Sequence, residues 1–295
     1  MIEKKNVLIF PAGSEIGLEI FNSLKYNLHV ELFGASGKSD HAKFVYDKEH
    51  YIEDDFYITN HDFLEVFNTV LDKFNIDFIF PTHDSIVTFL AKNQSKINSK
   101  VLTSSYETTL IAREKRLTYN LFKDTAFCPI IFSAPFKNIT YPVFLKPNIG
   151  QGGKGTSLAN NEDELLYKLK NNQDLLVCEH LPGDELSVDC FTANNGKLLF
   201  IGPRMRSRIE MGISFTTYTI PLSFEIKKIA ENLNEKLSFN GAWFFQVKKD
   251  SNGIYKLMEF AARQSSTMAL YRQQGVNFAL LSIFNAMEYN LKIIN

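Results

Sequence analysis

Short, largely apolar runs alternate with amphipathic segments along the first part of the chain. Runs typical of buried strands lie at 6–10, 29–35, 77–81 and 100–103. Segments with apolar residues at helical spacing lie between them, at 14–26, 61–74 and from 82 to about 97. Strands and helices that alternate in this way predict a parallel α/β sheet.

The pattern changes after a long helical stretch at 105–127. Strand-like segments become more frequent and lie at 141–147, 174–181, 184–192 and 196–205. Helical segments lie at 161–172, 223–237 and 276–289. Asn161 and Glu164 have the spacing of a capping box at the start of the first of these helices. Several strands with helices on one side predict an α+β fold for this part of the chain.

Residues 245–263, FQVKKDSNGIYKLMEFAAR, predict a β-hairpin. The Asn-Gly pair at 252–253 is typical of a two-residue loop with both residues at positive φ. Such a loop pairs Ser251 with Ile254, and counting outward then pairs Gln246 with Glu259. Directly opposed residues share a face of the sheet, with Cβ atoms about 4.5–5.5 Å apart.

The inner face of this hairpin carries oxygen atoms. Alternation along the second strand adds Ala261 and Arg263 to the face of Glu259. Gln246 and Glu259 offer a neutral and an anionic oxygen, which Mg²⁺ accepts while it keeps waters and phosphate oxygens. The alternative is a cross-strand hydrogen bond, with Arg263 paired to Glu259.

A glycine-rich loop follows the strand at 141–147. Its glycines can present backbone N–H groups to phosphate oxygens, and they are Gly150, Gly152, Gly153 and Gly155. Lys154 adds positive charge, and Lys146 ends the strand beside the loop. The loop is not a Walker A motif, because no Gly-Lys-Ser/Thr closes it onto a helix. A surface loop with solvated lysines is an equally weighted alternative.

Polar residues recur at every second position in two further segments and therefore share a strand face in each. They are Glu185, Ser187 and Asp189 in one segment and Arg204, Arg206 and Arg208 in the other. An exposed polar face explains the first set without any function. The arginines repel each other unless an anion or carboxylates lie among them. A solvated edge strand is the alternative for the arginines.

The loop after the first strand, FPAGSEIG, resembles a dinucleotide fingerprint only in its position. Pro11 and Ile16 stand where the fingerprint needs glycine for the tight turn and the close approach to pyrophosphate. The fingerprint therefore fails, and a structural turn is favoured.

His83 and Asp84 follow the strand at 77–81, at the end of the strand where open α/β sheets bind ligands. They are candidate substrate residues. A helix cap supplied by Thr82 or Asp84 is the favoured explanation, and both roles are compatible.

Composition narrows the classes of function. The chain has 295 residues and a net charge of −1, which gives no support for non-specific binding to nucleic acid or to a membrane surface. The sequence shows no basic region followed by an apolar stretch and no apolar run of about 18 residues, so neither a secretion signal nor a membrane helix is expected. Three scattered cysteines, Cys128, Cys178 and Cys190, predict buried free thiols. A soluble cytoplasmic protein is expected.

The order and spacing of these motifs resemble the ATP-grasp superfamily, in particular ligases similar to the synthetase subunit of carbamoyl phosphate synthetase. The resemblance covers essentially the whole chain. It implies an α/β parallel-sheet domain at 1–104, as precedes the grasp fold in this family, followed by a two-subdomain α+β ATP-grasp fold. Linker helices and a small lid subdomain are expected at 105–181, and a large subdomain with the metal-binding hairpin at 182–295.

The resemblance also implies roles for single residues. Lys115 and Lys146 match the family's two phosphate-contacting lysines, and the flexible lid matches Gly152, Gly153 and Lys154. Glu179 and the backbone at Leu181 are implied to contact the base, and Glu185 is implied to contact the ribose. Gln246 and Glu259 are implied to bind the metal. The implied cofactors are ATP and one or two Mg²⁺ or Mn²⁺ ions.

One position departs from the family. Its motif Glu-x-Asn-x-Arg reads EFAAR here, so Ala261 stands where an asparagine ligand is expected. Loss of one oxygen weakens a site for a hard cation. Three outcomes are open: water or substrate fills the gap, one metal suffices, or the chemistry is impaired.

The expected activity is ATP-dependent ligation through an acyl phosphate, with a C–N bond formed between a small-molecule carboxylate and an amine. Arg263 stabilises charge on the transferred group, and the substrate carboxylate binds Arg204, Arg206 or Arg208. The rival expectation is a nucleotide-binding regulatory or scaffold protein that has lost catalysis through Ala261. A nicotinamide-dependent reductase is a weaker rival, against which the failed fingerprint argues. A homodimer is a family-level expectation, and neither nucleic acid nor membrane is an expected partner.

Overall fold

The computed structural model describes residues 3–137, 139–150, 152–172, 174–210 and 212–293. Its first sheet is parallel throughout, with strand order β3-β2-β1-β4-β5. The strands are β1 (Lys5–Phe10), β2 (Val30–Ser36), β3 (Tyr51–Glu53), β4 (Phe78–Pro81) and β5 (Lys100–Val101). The helices are α1 (Glu15–Leu24), α2 (Phe63–Lys73) and α3 (Asp84–Lys92). The predicted parallel α/β sheet is confirmed. Among its strands, only β3 was missed.

Two helices connect this unit to the rest of the chain, α4 (Tyr106–Arg113) and α5 (Lys115–Phe122). The single helical stretch predicted at 105–127 is wrong, because Glu114 has an extended backbone with φ −110° and ψ 107°. The first N–H groups of α5 bind Asn148 instead. Lys115 N–H donates to the Asn148 carbonyl at 3.2 Å, and Arg116 N–H donates to its side-chain oxygen at 2.8 Å. Lys115 therefore opens a new helix.

A small antiparallel sheet follows, with order β6-β9-β7-β8. Its elements are β6 (Ile131–Phe132), β7 (Val143–Pro147), β8 (Ser157–Ala159), α6 (Glu162–Asn171) and β9 (Leu175–Glu179). Asn161 caps α6 by accepting from Glu164 N–H at 2.9 Å. The Glu164 carboxylate accepts from Asn160 N–H at 2.9 Å, one residue earlier than the predicted capping box requires.

The third sheet has five antiparallel strands in the order β12-β11-β10-β13-β14. Its elements are β10 (Glu185–Thr192), β11 (Leu198–Glu210), β12 (Ile213–Thr219), α7 (Phe224–Lys236), β13 (Gly241–Lys249) and β14 (Tyr255–Ala261). Apolar residues of α7, among them Ile229 and Leu233, pack on one face against Leu186, Val188 and Trp243. The α+β expectation is confirmed. The opposite face of the sheet carries polar residues such as Ser187 and Gln246, and next to them an apolar cluster that includes Phe244.

The last two helices, α8 (Ala269–Gln273) and α9 (Phe278–Ala286), return to the first unit. Ala279 and Ile283 of α9 pack in one core with Val7 and Ile9 of β1. This segment belongs to the predicted third domain, 182–295, yet it completes the core of the first. The domain boundaries stay a prediction. No described helix has the length and apolar character needed to cross a membrane.

The hairpin has the predicted pair of Gln246 with Glu259, but its loop and its register differ from the prediction. Asp250 N–H donates to the Ile254 carbonyl at 2.9 Å, so the loop has three residues, 251–253, and Gly253 has φ 81°. The two-residue loop and the Ser251–Ile254 pair were wrong. A β-bulge at Met258 then shifts the register by one residue and restores the predicted pair of Gln246 with Glu259.

Candidate active site

Five residues form one row across the polar face of the large sheet. The strand pairings place Thr219, Arg204, Ser187, Gln246 and Glu259 side by side, one from each strand. At about 4.8 Å per strand, Arg204 lies roughly 14 Å from Glu259 along this row. All but Thr219 line a cavity of ≈ 730 Å³. The row therefore forms the floor of this cavity.

The walls of the cavity come from all three units. Residues from the carboxyl edge of the first sheet, the linker helices and the glycine-rich loop include Ser14, His83, Asp84, Arg113, Lys115, Gly152 and Lys154. Side chains from distant parts of the sequence thus face one space. Arg113 was not predicted as a site residue, because it belongs to no recognisable motif. Ser187 was noted only as part of a polar strand face and was given no role.

Glu259 and Gln246 each contact a cationic side chain. Lys115 Nζ lies 3.5 Å from Glu259 Oε2, and these side chains are 12% and 41% exposed. Arg206 Nη1 donates to Gln246 Oε1 at 2.9 Å. The proposed metal ligands therefore face the cavity side by side, and Glu259 is paired with Lys115 rather than with Arg263.

Lys146 is buried and does not line the cavity itself. Its Nζ donates to the Met258 carbonyl at 3.3 Å and also to the hydroxyl of Tyr119, which in turn donates to the same carbonyl at 2.6 Å. The β-bulge takes Met258 out of the strand pairing, so its carbonyl is free to accept hydrogen bonds from these side chains. Burial raises the pKa of Tyr119 well above its ordinary value, so the phenol stays neutral.

Arg204 and Arg206 are buried, which excludes the solvated edge strand for them. Arg204 makes two hydrogen bonds to Asp189, at 2.7 and 3.2 Å, and its side chain is 2% exposed. Its Nη1 has no hydrogen-bond partner among the described residues. The polar face at Ser187 and Asp189 is buried as well, and the expectation of an exposed face was wrong.

Arg206 lies between Glu185 and the β11–β12 turn. It donates to the Glu185 carboxylate and, at 2.6 Å, to the Gly212 carbonyl. Burial lowers the pKa of Arg206, and the charge of Glu185 opposes that effect. Arg208 differs, because it is exposed, pairs with Glu210 and lies outside the cavity. Each of the three arginines thus forms an ion pair with a carboxylate.

Asp84 forms an ion pair with Arg263 across two units of the fold. Arg263 Nε and Nη2 lie 2.5 and 3.0 Å from the two carboxylate oxygens. Burial alone raises the pKa of Asp84, but the charge and hydrogen bonds of Arg263, with Arg113 and His83, bring it below its ordinary value. His83 caps α3 by accepting from Ser85 N–H at 3.3 Å, so the predicted cap by Thr82 or Asp84 was wrong.

The glycine-rich loop meets the large sheet through two glycines. A Cβ placed on Gly212 would lie 2.5 Å from the Gly152 carbonyl carbon, so the two backbones pass too closely for a side chain. Gly152, Gly153 and Gly155 have φ values of 61°, 68° and 76°, which favour glycine. Gly152 and the exposed Lys154 line the cavity, whereas Gly153 does not. Gln151 of this loop lies outside the described residues.

The residues implied to bind the base and the ribose lie outside the cavity. The Glu179 carboxylate accepts from Ile130 N–H at 2.8 Å, at the edge of the small sheet. Leu181 follows β9 and is half-buried. Glu185 contacts Arg206, which does line the cavity. Their roles stay predictions.

One face of the hairpin fits a divalent cation that keeps most of its own ligands. Glu259 supplies a partly exposed carboxylate, and the Gln246 amide lies directly across the strand pair. Ala261 lies opposite Phe244, so that neighbouring position offers a methyl group and a ring instead of an oxygen. The described residues contain no group of three or more His, Cys, Asp or Glu side chains placed to hold a metal. Mg²⁺ commonly uses one or two carboxylates plus phosphate oxygens and waters, which this donor set allows.

The sequence matches two family models and is similar to known carbamoyl phosphate synthases. The family described as ATP-grasp in the biosynthetic pathway with Ter operon matches residues 171–292. The ATP binding domain of the carbamoyl-phosphate synthase L chain matches residues 133–177. The arginine-specific carbamoyl phosphate synthase large chain of Bacillus subtilis is 24% identical over 223 residues, which are 68% of this chain and 21% of that protein. The chain thus spans about a fifth of the length of this relative.

Solved structures show the same fold. Biotin carboxylase from Campylobacter jejuni has a TM-score of 0.79 at 18% identity, over 99% of this chain and 73% of that one. N5-carboxyaminoimidazole synthetase from Staphylococcus aureus, in complex with ADP, has a TM-score of 0.78 at 17% identity, over 99% of this chain and 79% of that one. The chain is therefore similar to ATP-grasp proteins, among them the large chain of carbamoyl phosphate synthase.

Proposed function

We propose that this protein is an ATP-dependent ligase that activates a small-molecule carboxylate as an acyl phosphate and joins it to an amine. The observation that carries the proposal is the cavity at the meeting point of the three units. Its lining combines Glu259 and Gln246 with Lys115, Lys154 and Arg113. A cluster of cations beside a carboxylate suits a nucleotide triphosphate with its bound divalent ion.

The first step moves a phosphoryl group. A carboxylate oxygen of the substrate attacks the γ-phosphorus of ATP, a new P–O bond forms, and the bond to ADP breaks. Lys115 and Lys154 neutralise the phosphates, and Arg263 or a nearby cation stabilises the transferred group. The glycine-rich loop closes over the site to exclude water, since an acyl phosphate hydrolyses readily.

The second step makes the C–N bond. The amine attacks the acyl carbon, inorganic phosphate leaves, and the amine loses a proton to solvent. Glu259 and Gln246 would hold Mg²⁺ or Mn²⁺, which supplies charge neutralisation on the phosphates when bound. Positioning and electrostatics carry both steps, so the protein needs no nucleophilic side chain.

The arginines differ as candidates for the substrate carboxylate. Arg204 lines the cavity and uses one edge of its guanidinium on Asp189, and its Nη1 has no hydrogen-bond partner in the described parts of the chain. Arg113 lines the cavity and donates to Ser85 Oγ at 2.9 Å. These two therefore become the preferred anchors. Arg208, exposed and paired with Glu210, becomes the least favoured.

Product analysis tests the proposal. We expect ADP and phosphate to form from ATP only when a suitable carboxylate is supplied, and hydroxylamine to trap the activated acyl group as a hydroxamate. Glu259→Gln should abolish the signal. Glu210→Gln, which changes an exposed carboxylate outside the cavity, is the matched control and should retain it. ATP cleavage that ignores the carboxylate, with no hydroxamate, would contradict ligation.

Ala261 favours one rival function, a nucleotide-binding regulatory or scaffold protein with the same fold. Its methyl group removes a metal ligand that the family motif carries. Tight ATP binding without turnover across a broad panel of carboxylates and amines would favour this rival. A homodimeric assembly and a cytoplasmic location accompany the ligase proposal, and size-exclusion chromatography tests the first.

A further inference from the structure

Both metal-ligand candidates of the hairpin contact a cation of the protein itself. Lys115 Nζ lies 3.5 Å from Glu259 Oε2, and Arg206 Nη1 lies 2.9 Å from Gln246 Oε1. The oxygens proposed to bind a divalent ion are thus engaged by an ammonium and a guanidinium of the chain. A metal that enters alone meets positive charge at both.

The two cations differ in how firmly they are held. Arg206 is 8% exposed and is fixed by Glu185 and the Gly212 carbonyl. Lys115 has a flexible side chain, lines the cavity, and makes its only ion pair among the described residues with Glu259. Lys115 is therefore the cation that can leave.

The backbone under Lys115 stays in place while its side chain moves. The N–H groups of Lys115 and Arg116 both donate to Asn148, which is 8% exposed. Asn148 precedes the glycine-rich loop, so the anchor belongs to the base of that loop. A swing of the Lys115 ammonium from Glu259 towards a phosphate then needs rotamer changes only.

We propose that Lys115 acts as a latch that occupies Glu259 until a nucleotide arrives, and that divalent cations bind only together with the nucleotide polyphosphate. The inference rests on the proposed function, because it assumes the nucleotide and metal sites described above. Repulsion from the ammonium is doubled for a divalent ion and acts over a few ångströms. Phosphate oxygens give Lys115 a more highly charged partner, which frees Glu259 for the metal.

Mn²⁺ binding to the full chain without nucleotide tests the latch, with free Mn²⁺ followed by its electron paramagnetic resonance signal. Lys115→Met should bind Mn²⁺ at least about tenfold more tightly than the wild type, since the competing charge is gone. Arg116→Gln is the matched control, because it removes a neighbouring charge that pairs with Asp174 outside the cavity. It should bind Mn²⁺ as weakly as the wild type. Unchanged Mn²⁺ affinity in Lys115→Met would overturn the latch.

A second measurement uses the wild type alone, so it holds even if the Lys115 variant misfolds. ADP should raise the affinity of the protein for Mn²⁺ at least about tenfold, after correction for the Mn²⁺ that free ADP binds. AMP, which lacks the second phosphate, should not raise it. Equal Mn²⁺ affinity with AMP and ADP would contradict the proposal.

The variant Glu259→Gln distinguishes a failure of the latch hypothesis from a failure of the proposed active site. If this variant leaves Mn²⁺ binding in the ADP complex unchanged, Glu259 is not a ligand and the proposed active site fails with the latch. If it loses the ion while Lys115→Met gains nothing, only the latch fails.

Discussion

The ion pair of Asp84 with Arg263 joins the edge of the first sheet to the end of the β13–β14 hairpin. Its side chains are 24% and 10% exposed, and the guanidinium contacts both carboxylate oxygens, at 2.5 and 3.0 Å. Removal of one partner leaves the other charge in a largely buried place. We expect Asp84→Ala and Arg263→Ala each to destabilise the protein.

The magnitude lies between two limits. Exposed ion pairs contribute about 0.2–1 kcal/mol, whereas breaking a fully buried pair costs about 3–5 kcal/mol. Because Asp84 keeps some exposure, we expect each single substitution to cost about 2–3 kcal/mol and the coupling energy in a double-mutant cycle to be about 2 kcal/mol. The exposed pair of Arg208 with Glu210, 61% and 50% exposed, is the control. Its coupling energy should stay below about 0.5 kcal/mol.

Urea unfolding followed by the fluorescence of Trp243, the single tryptophan, measures these energies. The net effect of the fold is to lower the pKa of Asp84, so its contribution is complete at pH values above the unfolded pKa of about 3.9 and is lost as the pH falls through the lower folded pKa. The stability gap between the wild type and Asp84→Asn should be constant from about pH 5 to about pH 8 and narrow below about pH 4. A coupling energy no larger than that of the control pair, or a gap that does not change in acid, would refute the reasoning.

Three further predictions concern other parts of the molecule. Ala261→Asn should tighten the binding of Mg²⁺ or Mn²⁺ in the nucleotide complex, measured by calorimetry, and unchanged affinity would mean that this position is not a ligand. Asn148→Ala should lower the free energy of unfolding by about 1 kcal/mol through the lost cap of α5, and Asn148→Asp, which keeps an acceptor, should restore most of it; equal losses in both variants would exclude the cap. Burial raises the pKa of Cys128 to about 11, so a thiol reagent at pH 8 should label the native protein far more slowly than the unfolded one, and equal rates would contradict that burial.

Periodicity predicted most of the fold because each long element has a buried face. The strands β1, β2, β4 and β5 and the helices α6, α7 and α9 begin and end within a few residues of their predicted bounds. Elements without such a face were missed. The strand β12 carries mostly half-exposed residues, and the break at Glu114 depends on Asn148, which lies more than thirty positions further along the chain.

The hairpin shows why a local rule can give the correct pairing from wrong premises. The Asn-Gly signal fixed the place of the turn but not its length. Counting from a two-residue loop happened to pair Gln246 with Glu259, because the longer loop and the bulge at Met258 shift the register in opposite directions. The bulge has no sequence signature here, although its free carbonyl anchors Lys146.

Partners of charged residues were the least predictable feature of the site. Alternation placed Glu259 and Arg263 on one face, and pairing between them was the natural alternative to metal binding. The pairs observed join Glu259 to Lys115 and Arg263 to Asp84, over sequence separations of 144 and 179 residues. No pattern within one element can specify contacts that form only when three units meet.

The ion pairs that the cavity's cations form with carboxylates affect how an anion would bind there. Arg204 and Arg206 are held in place by Asp189 and Glu185, so they present fixed N–H groups and lose little freedom when an anion arrives. Lys115 is held more weakly, at 3.5 Å from a partly exposed carboxylate. A polyphosphate that enters this cavity therefore has to displace the contact of Lys115 with Glu259, while Arg204 and Arg206 are already positioned. In the latch that we propose, the exchange of a single partner on Lys115 is the step that couples nucleotide binding to metal binding.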